Sequence, residues 1–314
     1  MILVTGANGF LGRALNLELK VRQFDVRGAL RSKAIEGEVN VGDIGPDTDW
    51  QAALAGVEVV VHTAARAHIM RDTAGDPLSQ YRKVNVEGTL NLARQAAAAG
   101  VKRFIFISSI KVNGESTLPG KPFTTDDQAA PEDPYGVSKW EAEVGLHQLA
   151  NETGLEVVII RAPLVYGPGV KANFLRMMRW INRGLPLPLG SIDNKRSLVA
   201  LGNLVDLMIT CIDHPAAANQ TFLAGDGQDV STTELLHGIG KALDKPARLL
   251  PCPVSLLSVI SALLGKKEML RRLTDSLQVD ISSARLLLGW EPPLSMEEGL
   301  HKVAQDFKQQ SINQ

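Results

Sequence analysis

Apolar residues along this chain recur with two periods. Short apolar runs at 2–5, 25–30, 39–41, 57–62, 103–107 and 157–160 have the character of buried strands. Between them apolar positions return every third or fourth residue: Leu11, Ala14, Leu15, Leu17 and Leu19 make one such stripe within 11–20, and further helical patterns cover 50–55, 78–99 and 135–151. Strands alternating with helices predict an α/β fold, a Rossmann-type doubly wound parallel sheet that binds ligands at the carboxyl ends of its strands. Val57-Glu58-Val59-Val60-Val61-His62 reads as a central strand, and Thr63-Ala64-Ala65 after it are small enough for a ligand to lie close. His62 is expected to be a satisfied strand-end histidine.

Beyond Pro163 the rhythm changes. Pro163, Pro168, Pro186 and Pro188 interrupt it, and Gly167-Pro168-Gly169 makes a loop. Short strands at 197–200 and 221–223 mix with helices at 174–182, 204–213, 232–243, 254–264 and 296–307. The expectation is a nucleotide-type domain over 1–165 and, over 166–314, mainly a smaller C-terminal α/β substrate lobe, with some segments returning to the large sheet.

The chain has 314 residues and a formal net charge of −1, with acids and bases intermixed, which excludes a nucleic-acid stripe. Cys211 and Cys252 are its only cysteines, so a disulfide framework is excluded and a reduced compartment expected. No histidine stands near acids or cysteines at ligand spacing, and no metal is expected. The apolar segment 254–264 is too short to span a bilayer. It reads as a helix of the smaller lobe, with a lipid-facing or subunit-facing role open. The first strand starts at residue 2 with no signal peptide ahead of it, and a cytoplasmic protein is expected.

Chemistry enters at Gly6-Ala7-Asn8-Gly9-Phe10-Leu11-Gly12, directly between the first strand and the first helix. Gly6 permits a tight turn, Gly9 lets backbone approach a pyrophosphate, and Gly12 lets helix and strand pack closely. The helix N-terminus then faces the phosphates with free N–H groups. Asn8, Phe10 and Leu11 are counted with the glycines as dinucleotide contacts. At the end of the second strand an NAD-type fold carries an acid for the ribose 2′-OH. Here Arg31 stands there, with Arg27 and Lys33 nearby. A guanidinium suits a 2′-phosphate, so NADP(H) is favoured and NAD(H) stays possible; the alternative is a surface arginine stacked on adenine. Asp43, followed by Ile44, either meets the adenine or caps the helix beginning near residue 47.

Tyr135 and Lys139 are four residues apart, on one face of a helix. A nearby cation favours the phenolate and lowers the tyrosine pKa, which suits proton exchange with a substrate oxygen. Upstream, the strand Phe104-Ile105-Phe106-Ile107 ends in Ser108-Ser109. The glycine triplet, His62-x-Ala64-Ala65, Asn85-Val86-x-Gly88-Thr89, Ser108-Ser109 and Tyr135-x-x-x-Lys139 together resemble the extended short-chain dehydrogenase/reductases, in the branch of nucleotide-sugar epimerases, dehydratases and 4-keto reductases. The resemblance implies Tyr135 as acid/base, Lys139 on the nicotinamide ribose, and Ser109 as the polarising hydroxyl. Ala64, Ala65, Asn85, Ser108 and Pro163 would line the dinucleotide. Asn85 would back the active site or merely cap a turn, and Arg161-Ala162-Pro163-Leu164-Val165-Tyr166-Gly167-Pro168 would form the loop beneath the nicotinamide.

On the substrate side, Arg196 resembles the family's phosphate-gripping arginine. Arg272 and Asp275 resemble its R-P-G-D element, and Asn173 the asparagine heading its substrate helix. Each is equally readable as a surface arginine or a helix cap. Ser109, Lys111 and Asn113 are expected toward the sugar. Ile110-Lys111 stands where a dehydratase carries Asp-Glu, which argues against dehydration. Asn113 and Leu164 replace a tyrosine and an asparagine that touch substrate in hexose 4-epimerases. The stretches 108–115 and 276–280 are similar to bacterial reductases that make UDP-N-acetylquinovosamine from a UDP-4-keto-6-deoxy-N-acetylhexosamine. The leading expectation is therefore an NADP(H)-dependent 4-keto reduction of a UDP-sugar. The alternative is a UDP-hexose or UDP-N-acetylhexosamine 4-epimerase that keeps its NAD. A homodimer through 78–99 and 135–151 is implied by the family.

Overall fold

The computed structural model describes residues 1–32, 37–67 and 76–312. The chain opens with β1 (Ile2–Thr5), α1 (Phe10–Val21), β2 (Val26–Leu30), β3 (Glu38–Asn40), α2 (Gln51–Leu54) and β4 (Val59–His62). It continues through α3 (Pro77–Tyr81), a π-helical turn (Arg82–Gly88), α4 (Thr89–Ala98), β5 (Arg103–Ser109), α5 (Pro134–Thr153) and β6 (Glu156–Ala162). These strands make a parallel sheet in the order β3-β2-β1-β4-β5-β6. Strand polarity alternates by residue: Ile105 and Ile107 of β5 join the core on one face, Phe104 and Phe106 the core on the other. The first face is covered by α1, the second by α2, α4 and α5.

After β6 come β7 (Leu164–Tyr166), α6 (Ala172–Asn182), β8 (Arg196–Ala200), α7 (Leu201–Asp213), β9 (Thr221–Leu223), β10 (Asp229–Val230) and α8 (Thr232–Ala242). The chain ends with α9 (Val254–Leu263), α10 (Lys267–Thr274), α11 (Ser282–Leu288) and α12 (Met296–Ile312). A second sheet, β10-β8-β7, packs with α6, α8 and α12 around a separate apolar core that includes the stacked rings of Tyr166 and Phe174. The long helical pattern expected at 78–99 is one rod in three pieces, with the wide π turn in its middle. β7 and β10 are too short for an alternating pattern, and α10 buries no residue, so neither period betrayed them.

Later segments do return to the large sheet: β9 pairs with β6, and α7 and α11 cover the same face as α1. Arg103, 6% exposed, fastens this return. Its Nη1 donates to the carbonyls of Cys211, Ile212 and His214 at the C-terminus of α7, and its Nε donates to Glu156. A cation there satisfies orphan carbonyls and opposes the helix dipole. Replacing it leaves buried acceptors without donors. Arg103→Met should lower the unfolding free energy by about 2–4 kcal/mol, read from urea melts at neutral pH; a change below about 0.5 kcal/mol would remove Arg103 from this role.

Candidate active site

The turn between β1 and α1 is packed against the loop after β4 at backbone distance. Gly6 has φ +64°, and a Cβ there would lie 3.0 Å from the Ala64 Cα. A Cβ on Gly12 would stand 2.3 Å from the Gly6 carbonyl oxygen and 2.8 Å from Thr63 Oγ1. A Cβ on Gly9 would come within 3.0 Å of the same carbonyl. No side chain caps α1 and no acid sits in its first turn, so its N–H groups and positive dipole end face outward beside exposed Asn8 and half-buried Phe10 and Leu11. This cradle fits a pyrophosphate. Thr5 holds its floor: Oγ1 bonds His62 Nδ1 at 2.8 Å and accepts from Ala64 N, while the Thr5 carbonyl accepts from Thr63 Oγ1. His62 also bonds Thr89 through Nε2, and burial, followed by the nearby Lys139, drops its pKa to about 3. It is a neutral structural histidine, as expected.

Beyond the carboxyl end of β2, Arg31 lies 3.6 Å from Asp43, both side chains largely exposed. The guanidinium thus shares its place with a carboxylate. Asp43 caps no helix: α2 has Trp50 at its N-cap. Ile44 packs on Gly88, where a Cβ would meet it at 2.7 Å. Arg27 points elsewhere, donating to the Ala52, Ala53 and Ala55 carbonyls at the end of α2, so it offers nothing to a phosphate. Lys33 lies outside the described residues.

The serine strand, the tyrosine helix and the π turn converge at the carboxyl edge of the sheet. Asp133 caps α5 by accepting from Gly136 N, which sets Tyr135 in the first turn. The Tyr135 ring meets Tyr81 edge-on with centroids 6.0 Å apart, and the Arg66 guanidinium lies over Tyr81 at 5.6 Å. Tyr81 therefore orients the Tyr135 ring, a contact invisible in the motif. Asn85, 1% exposed, caps nothing; it sits inside the π turn. Its Oδ1 accepts from Arg66 N, and its Nδ2 donates to the Arg66 carbonyl and Ser138 Oγ. The asparagine thereby joins the loop carrying half-buried Ala64 and Ala65 to the helix carrying Tyr135.

Lys139 is 2% exposed; its Nζ donates to the Ile107 carbonyl at 2.8 Å and lies 4.3 Å from the Phe106 ring centroid. Burial pushes its pKa down to about 7. Burial also raises Tyr135 above the usual phenol value, helped by Asp133 and Tyr81. The expected lowering of the tyrosine is thus reversed among the chain's own groups, because desolvation of the phenolate sets the direction. Ser109 Oγ accepts from Lys111 N, which leaves its proton to offer to a substrate oxygen.

Beneath these groups lies a buried network that the sequence did not announce. Glu143, wholly buried on α5, accepts from Ser108 Oγ and forms an ion pair with Arg161 of β6 at 2.6 Å. Arg161 Nη1 donates to Asn113 Oδ1, and Asn113 Nδ2 donates to the Thr124 carbonyl. The Ser108 hydroxyl is therefore occupied within the protein. Asn113 is 3% exposed with both ends of its amide engaged, which corrects its expected substrate contact. Lys111 is corrected likewise, since its ammonium is shared between Glu115 and Asp133. The signal for Glu143 was its place four residues beyond Lys139, on the same helix face.

Pro163 is buried at the β6–β7 junction, followed by exposed Leu164. In the second lobe, Arg196 Nη1 donates to the Asp275 carbonyl, joining two of the expected substrate residues. The Asp275 carboxylate pairs with Arg271, and exposed Arg272 pairs with Glu268. Asn173 is exposed in the first turn of α6, whose N-cap is Lys171.

Residues 2–225 match the NAD dependent epimerase/dehydratase family. A UDP-glucose 4-epimerase of Vibrio cholerae is 53% identical over 313 residues, 98% of this chain and 95% of its own. Among solved structures, the UDP-glucose 4-epimerase of Thermotoga maritima with UDP-glucose has a TM-score of 0.77 at 24% identity, covering 99% of each chain. RMD from Pseudomonas aeruginosa, complexed with NADPH, has a TM-score of 0.76 at 21% identity over 98% of this chain and 99% of its own. These structures agree on the Rossmann-type fold. The length of the family match and the identity to the Vibrio protein make this chain a member of the NAD-dependent epimerase/dehydratase family, a nicotinamide-dependent enzyme of the extended short-chain dehydrogenase/reductase type.

Proposed function

We propose that this chain is a UDP-hexose or UDP-N-acetylhexosamine 4-epimerase that retains NAD(H). The observation that carries this reading is the relative named UDP-glucose 4-epimerase, 53% identical across almost the whole chain. The sequence ranked this activity second, behind a 4-keto reductase. The reductase leaned on Arg31 as a 2′-phosphate reader, and Asp43 beside that guanidinium repels a phosphate as it accepts a ribose or adenine hydrogen bond. The leading expectation gains no support from the relatives, and the second gains much.

The dinucleotide supplies reversible hydride acceptance at sugar C4. The protein's part is proton traffic and orientation. Tyr135 takes the proton of the 4-hydroxyl while Ser109 donates to the same oxygen, and Tyr135 returns the proton once the 4-keto sugar has presented its other face. Gly6, Gly9, Gly12 and the α1 N-terminus hold the pyrophosphate, and its charge favours the protonated form of Lys139. That shift restores the lysine as a cation next to the phenol. Arg196 would bind the nucleotide's diphosphate, with Arg272 and Asn173 as further substrate contacts. α4 and α5 are the faces for a homodimer.

Acid-quenched protein should release NAD, not NADP; recovery of NADP alone would overturn the cofactor assignment. Purified protein should interconvert UDP-glucose with UDP-galactose, or their N-acetylamino forms, without added cofactor. Stoichiometric NADPH oxidation with a UDP-4-keto-6-deoxy sugar, and no epimerisation, would return the assignment to the reductase. Tyr135→Phe should cut turnover by about 10²–10⁴-fold and leave the dinucleotide bound. Lys139 adds a pH signature. Its folded pKa near 7 lies below the unfolded lysine value, so its charge destabilises fully below pH 7 and the penalty fades as pH rises. In dinucleotide-stripped protein, wild type should gain on Lys139→Met from about pH 6 to about pH 9 in urea melts, whereas parallel curves would show an unshifted lysine.

A further inference from the structure

The helix α9 is apolar around most of its circumference, yet it buries only Leu257 and Ser261. Leu256, Val259, Ile260, Leu263, Leu264 and Met269 stay exposed, with Val259 at 58% and Leu263 at 83%. A helix with that composition belongs in a core or against a partner, and a continuous apolar patch is not a stable face in water. The helix ends in a Gly265 turn with φ +64°, directly followed by Lys266 and Lys267. α10 adds Arg271 and Arg272, which pair with Asp275 and Glu268, so four cations stand against two acids around the hairpin and Lys266 and Lys267 carry its surplus positive charge. The hairpin is firmly mounted: Leu257 enters the core of the smaller lobe, and Asn194 Nδ2 donates to the Leu273 and Asp275 carbonyls at the end of α10.

We propose that the α9–α10 hairpin seats the enzyme on an anionic lipid surface. The apolar side of α9 enters the headgroup–acyl boundary while Lys266 and Lys267 contact anionic headgroups, the arrangement of an interfacial amphipathic element. At ten residues, α9 is about 15 Å long. It can therefore lie in the interface and cannot cross it, and no described helix is long and apolar enough to span a membrane. The cations decide between a membrane and a second copy of this chain. A self-association through this face would bring like charge to like charge, whereas an anionic surface neutralises it.

The full chain is sedimented with vesicles of phosphatidylcholine and phosphatidylglycerol in equal parts, and with vesicles of phosphatidylcholine alone. The anionic vesicles should retain about tenfold more protein, and added salt should release it. Val259→Ser with Leu263→Ser, and separately Lys266→Glu with Lys267→Glu, should each lower the bound fraction about tenfold. Both variants should keep wild-type dinucleotide content and melting temperature, which separates lost docking from lost fold. Wild type left in the supernatant by both vesicles overturns the proposal, as does binding that neither pair alters. So does self-association by sedimentation velocity that the serine pair abolishes while vesicle binding is absent; that result assigns the face to a second copy.

Discussion

Glu143 and Arg161 face each other in a region from which water is excluded, one on the helix that carries Tyr135 and Lys139, the other on the strand beside Ser109. Two charges in such a place are tolerable only when their remaining hydrogen-bonding capacity is met. Ser108 meets part of the demand of the carboxylate, and Asn113 part of that of the guanidinium. The pair therefore has few geometries in which it survives, and those geometries fix how α5 lies across β5 and β6. A hydrophobic pair could hold the same elements together, but it would tolerate sliding. Ser109, Tyr135 and Lys139 ride on elements that this charge pair keeps in register.

The rest of the site is arranged by close approach. Gly6, Gly9 and Gly12 bring a helix end, a strand end and the Ala64 backbone together at distances that side chains forbid. The Thr5–His62–Thr89 chain then locks the neighbouring strand ends with neutral hydrogen bonds. Two kinds of rigidity meet at one edge. One is backbone packing at the glycine turn, the other a charge-paired lattice beneath Ser109, Tyr135 and Lys139.

Much of this was legible in advance, because the sheet and its glycine turn are written in local patterns. Period-two and period-3.6 stripes located the strands and helices around the large sheet, with Tyr135 and Lys139 on a helix and Ser109 at a strand end. The illegible part is long-range. Asn113 and Lys111 stand close to Ser109 in sequence, yet their side chains are recruited by Arg161, Asp133 and Glu115, and nothing local distinguishes a substrate contact from a structural bond. Asp43, from beyond another strand's end, stands beside Arg31, a contact that the local sequence does not show. The lysine–tyrosine electrostatics misled for a related reason: spacing sets who is near, while burial decides which charge survives.

The π turn at Arg82–Gly88 holds one residue more than an α-helical path would need, and Asn85 sits within it. Removing any single residue from that turn would let the rod relax into a regular helix and rotate α3 against α4 by about 100°. The amide would then leave both the Arg66 backbone and Ser138, even with every amino acid of the motif retained. For this stretch, chain length is as informative as residue identity. A homologue one residue shorter here would have to connect the loop after β4 to the helix α5 by some other bond.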